Sequence, residues 1–186
     1  MKRYLHVETF KADKAHWAAR YKNTENPSTT LDDKDYPLIR ESVEETRFKE
    51  TVVFSSKPGV FGWNKIDAAS QWLMDELATR LEANTIKRCL DLGAGYGYLS
   101  IRAKQLGLSQ IDATDNCAAA IIACQENFKK YHITGEVISS NIGHGIDKKY
   151  DLILCNPPFH QGFDHNKQLI DDFCQQTAKM LTRQGK

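Results

Sequence analysis

The chain has no C-x-x-C pair, no two histidines at helical metal-ligand spacing, and no apolar run approaching the ~18 residues of a membrane span. Its five cysteines, Cys89, Cys117, Cys124, Cys155 and Cys174, are odd in number and scattered. That pattern argues against a disulfide framework or a zinc site and for reduced thiols in a cytoplasmic protein. Met1-Lys2-Arg3 is not followed by the apolar core of a signal peptide. Charge of one sign is lacking too: 25 Lys and Arg against 24 Asp and Glu leave a formal +1. No global field therefore draws the chain onto nucleic acid or an anionic membrane, and any polyanion contact rests on local groups.

What is present suits one domain of ordinary size plus an arm: 186 residues, 41% of them hydrophobic. Residues 1–50 are polar and charge-mixed, with a helix expected around Ala12 to Tyr21 and a turn-rich stretch from Asn23 to Asp35. They read as an N-terminal arm or the remnant of a preceding domain. A strand is expected at Thr51 to Ser55, then a turn at Lys57-Pro58-Gly59. Ala69, Trp72, Leu73, Leu77 and Leu81 repeat with helical period over Asp67 to Leu81.

Beyond that point short apolar runs alternate with longer amphipathic segments. Strands are expected near Arg88 to Leu92, Gln110 to Thr114, Glu136 to Ser139 and Asp151 to Cys155. Helices are expected near Tyr98 to Leu106, Ala118 to Tyr131 and Gln168 to Leu181. Such alternation implies an α/β fold with a parallel sheet, whose ligands bind outside the carboxyl ends of the strands.

Two motifs sit at such ends. Asp91-Leu92-Gly93-Ala94-Gly95-Tyr96-Gly97 follows the first sheet strand and opens a helix. Glycines there permit positive φ and close ligand approach, and the helix N-terminus favours an anionic group. A dinucleotide fingerprint needs its third glycine at position 98, which is Tyr98. Asp115 ends the next strand, where a carboxylate can accept from two ribose hydroxyls or cap the following helix. Asn141, past the third strand, is either an adenine contact or a turn residue. Asp91 either orders the loop or meets a ligand ammonium.

The second motif is Asn156-Pro157-Pro158-Phe159, directly after Leu152-Ile153-Leu154-Cys155. Proline fixes its own φ and pushes the residue before it toward extended geometry, so the Asn156 amide is aimed with little freedom. An amino group conjugated to a ring or carbonyl is a poor nucleophile. Two acceptors on its N–H groups, the Asn156 side-chain oxygen and the Pro157 carbonyl, favour the pyramidal nitrogen needed for attack. Phe159 is placed to stack on the flat face of the substrate.

With these residues the chain resembles the class I S-adenosylmethionine-dependent methyltransferases of the small-domain group, and specifically bacterial ribosomal RNA guanine-N2 methyltransferases. The resemblance runs through Asp91–Gly97, Asp115, the continuation Asn156-Pro157-Pro158-Phe159-His160-Gln161-Gly162, and Lys57-Pro58-Gly59-Val60-Phe61 with Ile66-Asp67. It covers about residues 51–186. It implies a Rossmann-like three-layer sandwich with a mostly parallel sheet that lacks its last strands, hence a C-terminally truncated domain over 51–186. Gly93, Gly95 and Gly97 would cradle S-adenosylmethionine, leaving S-adenosylhomocysteine as product, and Asp115 would hold its ribose. Asn156 and Pro157 would bind the guanine amino group under Phe159, with Pro158, His160, Phe61 and Lys57 as substrate contacts and no metal. The implied partner is ribosomal RNA or a ribosomal subunit, the small-subunit 16S type favoured over the 23S type, with no membrane. The tetrapeptide alone also admits adenine-N6 and protein glutamine methyltransferases. A non-catalytic reading exists as well: if the strand carrying Asn156 is an unpaired edge, the chain could serve as a cofactor-binding or self-associating fragment.

Overall fold

The computed structural model of the chain describes residues 5–11, 17–23, 51–63, 65–157 and 163–186; of 5–11, 17–23 and 163–169 it describes the backbone only. Two units are separable, Met1–Asp35 and Tyr36–Lys186. In the first, β1 (Leu5–Lys11) and β2 (Trp17–Asn23) pair antiparallel, in register from Leu5↔Asn23 to Lys11↔Trp17. The helix expected at Ala12 to Tyr21 is therefore corrected: from Trp17 onward the chain is strand, and residues 12–16 lie outside the described residues. Trp17 and Tyr21 favour a pleated surface, and pairing across the hairpin outweighs the helix preference of Ala18 and Ala19.

The second unit is organised by β3 (Cys89–Leu92), which is buried along its whole length. Successive strand residues point to opposite faces. Cys89 joins the larger hydrophobic cluster and Asp91 bonds into the same layer, whereas Leu90 and Leu92 join the smaller cluster on the other face. Burial on both faces is what a parallel sheet requires. β3 pairs in parallel with β4 (Ile111–Asp115) on one side and with β6 (Leu152–Cys155) on the other. β4 in turn pairs with β5 (Val137–Ser139), giving the order β5-β4-β3-β6. Helices α1 (Ala68–Arg80), α2 (Tyr98–Gln105) and α3 (Ala118–Lys130) supply Met74, Ile101, Ala123 and Phe128 to the larger cluster. Helix α4 (Phe163–Met180) supplies Phe173 and Met180 to the smaller one, so the sheet lies between two helical layers. This is the α/β three-layer arrangement expected.

Two expectations need revision. Thr51 is a bridge residue, and residues 52–56 pair with no strand among the described residues. The Tyr131 hydroxyl accepts from Val53 N at 2.8 Å and donates to Val53 O at 2.6 Å. Asn127 Oδ1 accepts from Ser55 N at 2.7 Å, and its Nδ2 donates to Ser55 O at 2.8 Å. Side chains of α3 and of its C-cap Tyr131 thus satisfy the backbone groups a neighbouring strand would otherwise take, while Val52, Phe54 and Ser56 are buried. The outer edge of β6 is also not bare. Tyr150 N donates to Met180 O, Thr182 N to Tyr150 O, Ile153 N to Lys186 O and Lys186 N to Asp151 O. The chain after α4 therefore lines the first half of that edge.

Candidate active site

The strand order reverses between β3 and β6, since β4 and β5 are added to one side of β3 and β6 to the other. A crevice forms at such a reversal, outside the carboxyl ends of the strands. Here it is a cavity of about 410 Å³, within the ~300–1,000 Å³ usual for small-ligand sites. Gly93, Ala94 and Gly95 reach it from β3, Thr114 and Asp115 from β4, Ser140 and Asn141 from β5, and Asn156 from β6. Gly59, Val60, Phe61 and Gly62 close another part of the wall.

The glycine loop is held from below. Gly93 N and Ala94 N both donate to Thr114 O at 2.9 Å, tying the loop to β4. Gly93 has φ +77°, and a Cβ there would meet only the Phe173 ring at 3.8 Å. Among the described residues, nothing else stands within 4 Å of that position. Gly97 serves a different purpose: with φ +86° it is the N-cap of α2, and a Cβ would lie 2.8 Å from Cys124 Sγ. It packs α2 against α3 and does not line the cavity.

Asp115 receives Gly95 N on Oδ2 at 2.8 Å and Cys117 N on Oδ1 at 2.8 Å. It therefore fixes the loop and the entry to α3 together, and each oxygen keeps a lone pair for a ligand hydroxyl. Asp115 lines the cavity, where a ribose would lie, but it is not the cap of the following helix: the N-cap of α3 is Cys117, whose own N–H Asp115 accepts. Asn141 lines the cavity and accepts Asn116 Nδ2 on Oδ1 at 3.2 Å, which leaves its amide N–H groups as donors. Thr114 lines the cavity with its hydroxyl oxygen buried and without a partner among the described residues.

Asp91 lies beneath the loop, fully buried. Its Oδ2 accepts from Ser100 N at 2.9 Å and from Ser100 Oγ at 2.7 Å, while Oδ1 has no partner among the described residues. Burial pushes its carboxyl up to about 7, against the lowering effect of the Ser100 bonds and with a further rise from the Asp115 charge. Burial also pushes the Cys89 and Cys124 thiols up, so neither supplies a thiolate nucleophile at neutral pH.

Asn156 lines the cavity, and its Nδ2 donates to Asp67 Oδ2 and to Ser70 Oγ, each at 2.8 Å. Pro157 is half-buried and outside the cavity wall, as is Lys57, whose carbonyl accepts Val60 N at 3.0 Å. Phe61 is on the wall and 58% exposed. Pro158, Phe159 and His160 lie outside the described residues. Ser70, Phe173 and Ile142 are wall residues the sequence reading did not single out, and Asp67, quoted there with Ile66, is given no role in the site. Of these only Asp67 carries a local signal, an acidic residue ahead of a helical repeat. Ile142 has φ +52°, a costly conformation for a β-branched residue, and nothing in its sequence announces it.

A parallel sheet with a glycine turn after one strand, a carboxylate after the next and a strand-end Asn over one cavity is the arrangement of the Rossmann-like methyltransferases. The fold agrees with the solved RsmC of T. thermophilus, a 16S rRNA N2 methyltransferase in complex with AdoMet and guanosine: TM-score 0.75 at 23% identity, over 97% of this chain and 48% of that one. Residues 51–186 match the methyltransferase small domain, and the chain belongs to that family. Among curated relatives, ribosomal RNA small subunit methyltransferase C of Buchnera aphidicola from Acyrthosiphon pisum is 30% identical over 149 residues, 80% of this chain and 43% of that protein. Its namesake from the Buchnera strain of Cinara cedri is 40% identical over 110 residues, 59% of this chain and 31% of that protein. The chain spans less than half the length of these relatives.

Proposed function

We propose that this domain transfers the methyl group of S-adenosylmethionine to the exocyclic N2 of a guanine in 16S ribosomal RNA, working on ribosomal subunits in the cytoplasm. The observation that carries the reading is one cavity shared by the glycine loop, Asp115 and Asn156, with the Asn156 amide nitrogen already engaged. Its carbonyl oxygen is then the group left to accept from a substrate N–H.

The residues fit the donor. Gly93 leaves room for the methionine portion, Asp115 accepts from the ribose hydroxyls, and Asn141 donates to the adenine edge. When bound, the donor supplies an activated methyl on a sulfonium. The chain's own residues bind, orient and exclude water. The amino group of guanine need not lose its proton before attack, so a neutral Asn156 suffices as acceptor and no strong base is needed. Oδ1 of Asn156 and the Pro157 carbonyl would favour the tetrahedral nitrogen of the transition state. A guanine in folded RNA must be splayed from its stack to reach them. Adenine-N6 and glutamine amides present the same N–H pair; the likeness to a 16S rRNA N2 methyltransferase solved with guanosine supports guanine.

The test is transfer of labelled methyl from S-adenosylmethionine to 30S subunits, 50S subunits, DNA and release factor, side by side. Label in 16S RNA is the expected result. Label only on protein or DNA would replace the RNA reading.

A further inference from the structure

We propose that Asp67 and Ser70 are positioning residues that set the orientation of the Asn156 carboxamide, and through it make the site select acceptors that present N–H groups. The proposal rests on the reading of Asn156 as the residue that binds the acceptor.

Asp67 is the N-cap of α1: its Oδ2 accepts from Ser70 N at 2.9 Å, the third residue of the helix. The same oxygen accepts from Asn156 Nδ2 at 2.8 Å, and Ser70 Oγ accepts the amide's other N–H at 2.8 Å. A helix start thus grips the end of β6 from 89 and 86 residues away in sequence. An ionised carboxylate offers only acceptors. A flipped carboxamide would set its oxygen against the Asp67 carboxylate, so one of the two orientations is excluded by charge and lone pairs. Both N–H groups of Asn156 are then consumed, and among the described residues no donor reaches its Oδ1. The side chain can accept from a ligand and cannot donate to one. A carboxamide free to flip would accommodate the guanine carbonyl as readily as its amino group. One held in this way discriminates between them. Asp67, Ser70 and Asn156 all line the cavity, so the grip lies at the reaction site itself.

The variant set separates a positioning role from helix capping. Serine is a good N-cap with a shorter reach, so Asp67→Ser keeps α1 folded and releases Asn156. Methyl transfer to 30S subunits is expected to fall about tenfold in kcat for Asp67→Ser and for Ser70→Ala, with S-adenosylmethionine affinity within about twofold of wild type. In an Asn156→Ala background neither change should lower the residual rate further, a non-additivity that capping alone would not give. In 15N-labelled protein the Asn156 carboxamide protons should be displaced and protected from exchange in wild type, and move to the positions of an exposed Asn in Asp67→Ser. That readout does not depend on activity. If Asn156→Ala is inactive while Asp67→Ser and Ser70→Ala keep wild-type rates and unshifted amide signals, the positioning role is overturned alone. If Asn156→Ala keeps the wild-type rate, the acceptor reading beneath it fails instead.

Discussion

Asn127 on α3 donates from its side-chain amide to the backbone carbonyl of Tyr96 in the glycine loop, at 2.7 Å and fully buried. The same amide pairs with both backbone groups of Ser55. One side chain therefore joins the glycine loop, α3 and the segment that leads to the Val60–Phe61 wall. Phe54 and Tyr96 stack beside it with ring centroids 4.4 Å apart. Asn127→Ala strips partners from buried carbonyls and is expected to cost about 2–3 kcal/mol. Urea denaturation with an unchanged m-value checks it.

Tyr131 provides a smaller instance of the same device. Tyr131→Phe removes only the hydroxyl that serves Val53 N and Val53 O. The expected loss is about 1–2 kcal/mol. Because Tyr131 and Asn127 hold the same segment, the double variant should lose less than the two losses added, measurable by a double-mutant cycle.

Gly97 and Gly93 should respond differently to alanine. Gly97→Ala meets both the left-handed conformation and Cys124 Sγ at 2.8 Å. The backbone alone costs about 1–2 kcal/mol, and the clash adds to it. A further Cys124→Ala substitution should restore the clash component and leave the backbone component. Gly93→Ala, with nothing nearer than 3.8 Å among the described residues, should lose only the backbone part in thermal denaturation. Its new methyl group would stand in the cavity and weaken ligand binding.

Asp91 gives the apoprotein a distinctive pH dependence. Its carboxyl is raised by burial to about 7, so the folded state holds a proton that the unfolded chain releases near its ordinary value of 3.8. Between those two values the folded state binds more protons, and stability from this group falls as pH rises, by at most about 1.4 kcal/mol per pH unit. Below 3.8 its contribution is level and fully present. Asp91→Asn should flatten the decline between about pH 4 and pH 7 in urea titrations. An equally steep slope in that variant would place the titration elsewhere.

Much of this architecture is legible in the sequence, and the exceptions share a cause. β3, β4, β5 and β6 fall within a residue or two of the apolar runs that announce them, as do α1, α2 and α3. α4 begins at Phe163, earlier than expected, because Asp164, His165, Asn166 and Lys167 carry no apolar repeat. Val52–Ser56 has the composition of a strand, but its partners are side chains more than 70 residues away, beyond any local signal. The same holds at the site. Asp67 stands at the head of a helical repeat and caps it in the structure; that its second lone pair holds Asn156 depends on where β6 ends. Gly93, Gly95 and Asp115 are legible as cavity residues because loop, carboxylate and strand end are neighbours in the pattern as well as in space, whereas Gly97 belongs to the packing of α2 on α3.

The central claim is that the cavity between Gly93, Asp115 and Asn156 holds the methyl donor. Isothermal titration of the chain with S-adenosylmethionine tests it most directly. The prediction is saturable binding at one site per chain, about tenfold or more weaker in Asp115→Ala, which loses charged acceptors for the ribose, and unchanged in Asn156→Ala. The absence of heat and of any thermal shift at about millimolar ligand, in protein shown to be folded, would contradict it.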